Sequence, residues 1–175
     1  MKKVFTFLFL SFLSLSIGQT DNPCGAPSLT VNTNCSYSAG NLPASMTGTT
    51  GIPAPGCALY NAGGDDVWYQ VTVPAGGALT INTNTGTLTD MGMAWYSAPS
   101  CAGPFTLIEC DDDDSPNGLM PYISRTGLTP GSIIYVRLWE YGTNASGTFS
   151  ICATAPTPCV SLSGNSNCNA SDPFC

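Results

Sequence analysis

The chain has 175 residues with eleven acidic and four basic side chains, nine cysteines and no histidine. A formal charge of −7 disfavours nucleic acid and anionic lipid as partners. Without histidine, Ser-His-Asp and Cys-His nucleophilic catalysis and HExxH metalloprotease chemistry are excluded.

Met1-Lys2-Lys3, the apolar run from Val4 to Ile17 and the small residues Ser16 and Gly18 form a secretory signal peptide over 1–18. The run is shorter than the ~20 residues that span a bilayer, so no membrane span is expected. Cleavage would leave a chain from about Gln19, in which eleven acidic side chains face Arg125 and Arg137 alone, a formal −9. Such a chain is expected to be secreted, in the extracellular space or at a cell surface. Its length suits one domain over 19–154. Residues 155–175, with Pro156, Pro158, Cys159, Cys168 and Cys175, read as a linker or the start of a truncated further module.

Helical stripes are nearly absent after the leader, and Gly, Pro, Ser, Thr and Asn recur every several residues. In chain order, weak strand signals cover 28–33 and 119–125. The clear ones are "DVWYQVTV" (66–73), "ALTINT" (78–83), "GMAWY" (92–96), "FTLIEC" (105–110), "SIIYVRLWEY" (132–141) and "GTFSICAT" (147–154). Pro74-Ala75-Gly76-Gly77 reads as a hairpin turn between two of them, and Pro130-Gly131 as a turn before another. Together these predict an all-β protein, an antiparallel β-sandwich stabilised by disulfides.

Alternation assigns the faces. Val67, Tyr69, Val71 and Val73 share a core face, with Trp68, Gln70 and Thr72 opposite. Ile134, Val136 and Leu138 form the next core face, which leaves Tyr135, Arg137, Trp139 and Tyr141 on the other side. Two readings apply to that aromatic face. It packs beneath a long loop, with Arg137 stacked on a ring, or it is a ligand platform of Tyr135, Trp139 and Tyr141 with Trp95.

With no C-x-x-C pair and no histidine, zinc is disfavoured and the cysteines read as disulfides. Cys101 and Cys110 flank "AGPFTLIE" and are expected to pair. Cys24, Cys35, Cys57 and Cys152 then pair in one of three ways that spacing does not choose.

The order "GDDVWYQVTVPAGGALTINT", "GMAWYSAPSC", "FTLIECDDDD", "ISRTGLTPGSIIYVRLWEYG" and "ASGTFSIC" resembles the bacterial pre-peptidase C-terminal domain family across about half the chain, from Asp65 to Ala153. The resemblance implies a jelly-roll-like β-sandwich, an accessory module of exported multidomain proteins that is not itself catalytic. Some relatives bind calcium or extracellular polymers. Here the module follows the leader directly, without a protease domain before it, and its acidic loop carries four Asp.

That loop, "CDDDDSPNG", holds Asp111, Asp112, Asp113 and Asp114, which cannot all be buried unpaired. It is a solvated loop closed by Asx turns, or a Ca²⁺ site built from some of these four with Asp65, Asp66 or Asp90. An EF-hand is ruled out, since Pro116 and Tyr122 stand where Gly and Glu are needed. Glu109 beside so many wet carboxylates lacks the apolar pocket that a glycosidase acid requires.

Three functions follow as expectations. The first is a secreted, non-enzymatic accessory or adhesion module whose partner is an extracellular polymer or a neighbouring domain. The second is a Ca²⁺-dependent module that binds carbohydrate or another extracellular polymer. The third is the leading fragment of a secreted hydrolase or protease with its catalytic domain elsewhere.

Overall fold

The structure, a computed structural model, describes residues 20–142 and 144–156. The expected signal peptide lies outside these residues, as does nearly all of the expected 155–175 linker. Nine strands form two sheets: β1 (Val31–Asn32), β2 (Ser38–Leu42), β3 (Asp66–Thr72), β4 (Leu79–Thr85), β5 (Met91–Ser97), β6 (Thr106–Asp111), β7 (Tyr122–Arg125), β8 (Ile133–Glu140) and β9 (Gly147–Thr154). One sheet runs β3-β8-β5-β6. The other runs β1-β9-β4-β7, with β2 also paired to β9. All pairings are antiparallel except β1 with β9. The chain is thus an all-β, jelly-roll-like sandwich.

The β-branched and aromatic runs became strands as expected. β2 had no such signal, because "SAGNL" lacks those residues and carries a glycine. Gly40 is required there: a Cβ at this position would lie 2.5 Å from Phe149 Cε2 on the neighbouring strand. The Pro74–Gly77 turn is not a hairpin. β3 pairs with β8 while β4 pairs with β7 and β9, so the turn carries the chain from one layer to the other. Gly77, at φ +65°, fits against the Leu128 carbonyl, 2.7 Å from where its Cβ would be. The turn therefore packs on the loop before β8 instead of closing a ladder.

Between the layers lies a core of Val67, Tyr69, Val71, Met93, Trp95, Ile134, Val136 and Leu138 from one sheet against Leu79, Ile81, Ile123, Phe149 and Ile151 from the other. The predicted inward faces are the observed ones. The outer face of the β3-β8-β5-β6 sheet is also buried, with Trp68, Ala94, Tyr96, Tyr135 and Trp139 in a second cluster that includes Ala26 and Ala58. Two segments cover it. Residues 20–29 pair along β3, where Trp68 N–H donates to Thr20 O and Gln70 N–H to Pro27 O, both at 3.0 Å. Residues 43–65 cross over the sheet, with Tyr60 edge-on to Trp139.

Arg137 lies within this second core, fully buried. Its Nε donates to Asp66 Oδ2 at 2.7 Å and its Nη2 to Thr49 O at 2.9 Å. The Thr49 N–H closes the circuit on Asp66 Oδ2 at 3.0 Å. The guanidinium lies 4.3 Å from the centroid of Tyr60 and 5.2 Å from that of Trp68. Of the two roles open to the aromatic face, the structure takes the one beneath a loop. Tyr135, Trp139 and Trp95 are buried, Trp95 in the inter-sheet core, and only Tyr141 is partly exposed. They form no stacking platform.

Three disulfides join Cys24–Cys101, Cys35–Cys152 and Cys57–Cys110. The expected Cys101–Cys110 pair is corrected. Each of the two is bonded instead to a cysteine of a covering segment, Cys101 to Cys24 and Cys110 to Cys57, partners 77 and 53 residues away that local spacing does not reveal. The three bridges close separations of 77, 117 and 53 residues, each worth ~4 kcal/mol in the chain-entropy account. They hold the N-terminal segment onto the β5–β6 connection, the β1–β2 loop onto β9 and the 43–65 cover onto β6.

Replacing Arg137 with alanine would strand the Asp66 carboxylate in an apolar layer. We expect a loss of ~3–5 kcal/mol in urea unfolding at pH 7. Restoration by a second change, Asp66→Asn, is expected to be partial. A loss below ~1 kcal/mol for Arg137→Ala would mean that Asp66 finds water there.

Candidate functional site

The acidic loop follows β6 at one end of the sandwich. Its first carboxylate holds the loop in shape, since Asp111 Oδ2 accepts the N–H groups of Tyr122 (2.8 Å) and Asp114 (3.3 Å) and so closes the loop onto β7. Ser115, buried, donates from Oγ to Asn82 Oδ1 at 2.8 Å, and Asn117 Nδ2 donates to Thr83 O at 2.9 Å. Met120 enters the main core. The Asx-type closure predicted for this loop is therefore present, but several of its side chains anchor it to β4 and β7.

Anchoring leaves Asp112 and Asp113 on the side of the loop that faces Asp90, the residue before β5. Oxygens of these three carboxylates lie within 4.8 Å of one another. Asp90 Oδ1 and Asp112 Oδ1 are shielded from solvent and have no hydrogen-bond partner in the structure. Of the aspartates that the sequence offered for a cation, Asp112, Asp113 and Asp90 come together. Asp111 turns back to close the loop, Asp114 is exposed, and Asp66 pairs with Arg137. Asp65 is likewise outside the group; its N–H donates to Asn144 Oδ1 at 2.5 Å.

The electrostatics follow from crowding. Burial, and then the charges of Asp113, Asp90 and Asp111, push the Asp112 carboxyl up to about 6 from its ordinary 3.8. Asp90 is raised by burial and by Asp113 and Glu140. For Asp111, burial outweighs the hydrogen bonds from Tyr122 and Asp114, and the carboxyl is again raised. No basic side chain relieves the group among the described residues: Arg125 pairs with Glu109 and Arg137 with Asp66. Hard oxygen donors in this number suit Ca²⁺, which takes six to eight oxygens and accepts backbone carbonyls and water beside carboxylates.

Beside the carboxylates is an open hollow of about 410 Å³, walled by Ala54 and residues 56–60 of the cover, Tyr141 and Asp112. Sequence reading missed it, because the 54–60 stretch has neither periodicity nor a motif. Its position comes from the Cys57–Cys110 bridge, a contact 53 residues apart.

No family model and no curated protein matches the sequence. Among solved structures the chain is similar to the "1.0 Angstrom Crystal Structure of pre-Peptidase C-terminal Domain of Collagenase from Bacillus anthracis". The two share 12% identity at a TM-score of 0.45, over 73% of this chain and 93% of that one. The fold itself is given by the two sheets described above.

The raised carboxyls have a signed consequence. A group with a folded pKa of about 6 and an ordinary value of 3.8 holds its proton more tightly in the folded state. Acidification through that window, from about pH 6 towards 4, therefore adds stability through Asp112. Calorimetry in a chelating buffer is expected to show the melting temperature gaining from this group between pH 7 and 5, with a flatter profile for Asp112→Asn. Identical profiles would show that Asp112 is not under this strain.

Proposed function

We propose that the chain is a secreted, non-catalytic β-sandwich module with a leader over 1–18, one domain over 19–154 and a linker from 155, serving as an accessory or adhesion unit of a larger exported protein. One observation carries the reading: all six cysteines among the described residues are paired across distant parts of one sandwich, a pattern typical of an oxidising compartment. The absence of histidine, which removes the common acid-base and nucleophile constellations, supports the non-catalytic part. No helix among the described residues is long and apolar enough to cross a membrane. Expression of the full chain in an exporting host tests the reading. Cleavage near Gln19 and six protected cysteines in the secreted product are expected by N-terminal sequencing and thiol alkylation. Retention inside the cell, or alkylation of those six cysteines without reduction, would overturn it.

A second reading, a Ca²⁺-binding module, is favoured by the unpartnered oxygens of Asp90 and Asp112 converging with Asp113. Binding to the folded state alone stabilises by RT ln(1 + [L]/Kd), ~2.7 kcal/mol at a hundredfold excess over Kd. Millimolar Ca²⁺ is therefore expected to raise the melting temperature by several degrees. The double variant Asp90→Asn, Asp112→Asn should remove the rise, and it should flatten the acid dependence as well. No heat on calorimetric titration and no shift in melting temperature would remove this reading. Its carbohydrate arm has lost the support of the buried aromatic face.

A further inference from the structure

The hollow beside Asp112 combines features that the fold does not require. Ala58 and Leu59 are successive non-glycine residues in the left-handed region, at φ +51° and +40°. Such conformations persist only where the surroundings impose them. For Ala58 the cause is local: its carbonyl accepts Trp139 Nε1 at 2.9 Å, and its methyl packs where Gly92 leaves room, 2.5 Å from the position a Cβ would take. Leu59 gains nothing comparable. It is 65% exposed, the most exposed large apolar side chain among the described residues, and lines the hollow together with Asp112. The rim is held in place, since the neighbouring Cys57 is bridged to Cys110 and Tyr60 packs on Trp139.

The hollow is thus a preformed concavity with an apolar rim, phenol rings from Tyr60 and Tyr141, and one carboxylate in its wall. Its volume of about 410 Å³ is within the ~300–1,000 Å³ usual for ligand sites. The carboxylate lacks a cationic partner: both arginines among the described residues are committed to Glu109 and Asp66, and Asp90 and Asp113 add negative charge behind Asp112. Charge complementarity therefore calls for a positive group, and the apolar rim calls for one carried on a hydrocarbon stem. With Asp112 as the one carboxylate in the wall, the hollow suits a compact ammonium better than the planar fork of a guanidinium, whose value lies in bidentate pairing.

We propose that this hollow is a docking site for a lysine side chain of an extracellular protein partner, with the ammonium on Asp112 and the methylene stem along Leu59 between Tyr60 and Tyr141. The proposal rests on the reading of the chain as a non-catalytic module that meets an extracellular partner. It does not need the Ca²⁺ reading, in which the metal would compete for Asp112.

The test is a titration of the ¹⁵N-labelled, disulfide-intact protein in chelating buffer with N-acetyl-lysine N-methylamide, followed by NMR. The neutral isostere N-acetyl-norleucine N-methylamide serves as the uncharged control. Saturable shifts confined to residues 54–60, Asp112 and Tyr141 are expected, with at least tenfold weaker binding of the norleucine probe. Asp112→Asn should weaken the lysine probe about tenfold and Leu59→Ser several-fold. Asp114→Asn, which removes the same charge from an exposed position outside the hollow, should leave it unchanged. Shifts spread over the acidic surface, equal losses in the Asp112 and Asp114 variants, equal binding of norleucine, or no saturation would each overturn the proposal. Export and cysteine protection are read separately, so failure here does not imply failure of the module reading, nor the reverse.

Discussion

The arrangement of the domain depends on a buried charge. Arg137 sits with Asp66 in a layer of aromatic side chains, away from water, where such a pair needs partners for its remaining donors and acceptors, and of these only Arg137 Nη1 goes without a hydrogen bond. The partners that meet them are not on the sheet. Thr49 supplies a backbone N–H to Asp66 and a carbonyl to Arg137, and Tyr60 lays its ring against the guanidinium. Both belong to the long connection between β2 and β3. The ion pair therefore specifies how an otherwise irregular segment lies across the sheet, and that segment in turn shields the pair.

An antiparallel sheet commonly leaves one face to solvent. Here β5 and β8 are buried almost continuously, with alternate residues entering two different cores. Trp68, Tyr96, Phe105 and Tyr135 form a chain of ring contacts under the cover, and Trp139 meets Tyr60 of the cover itself. A domain of this size gains apolar burial from the arrangement while having to order a long stretch of coil. Disulfides offset that cost by restricting the unfolded chain, and two of the three, Cys24–Cys101 and Cys57–Cys110, attach the two covering segments.

The acidic end follows from the same construction. Because Asp111 and Ser115 are used to fasten the loop, Asp112 and Asp113 have no freedom to splay, and they face Asp90 across a short gap. Like charges held together in partial burial raise one another's pKa and attract cations. Whatever binds there gains from repulsion already present in the folded domain. The cover contributes the other wall, so the buried arginine, the cover and the acidic hollow form one connected construction.

Much of this was legible in the residues. Period-two alternation in "DVWYQVTV" and "SIIYVRLWEY" determined the strands and which side chains meet between the sheets, because a one-residue slip would expose the whole set. Composition determined an all-β, disulfide-tied protein without histidine chemistry. Four adjacent Asp marked the acidic loop, though Asp90 joins it from 22 residues before Asp112 and nothing local announced which carboxylates would meet. Only the tertiary structure decided the rest: the cysteine pairing, the crossing of the Pro74–Gly77 turn between layers, the burial of the aromatic face and the position of the hollow. Each depends on where a turn-rich segment lies in space, and such a segment takes its path from contacts dozens of residues away, which leave no periodic trace in the chain.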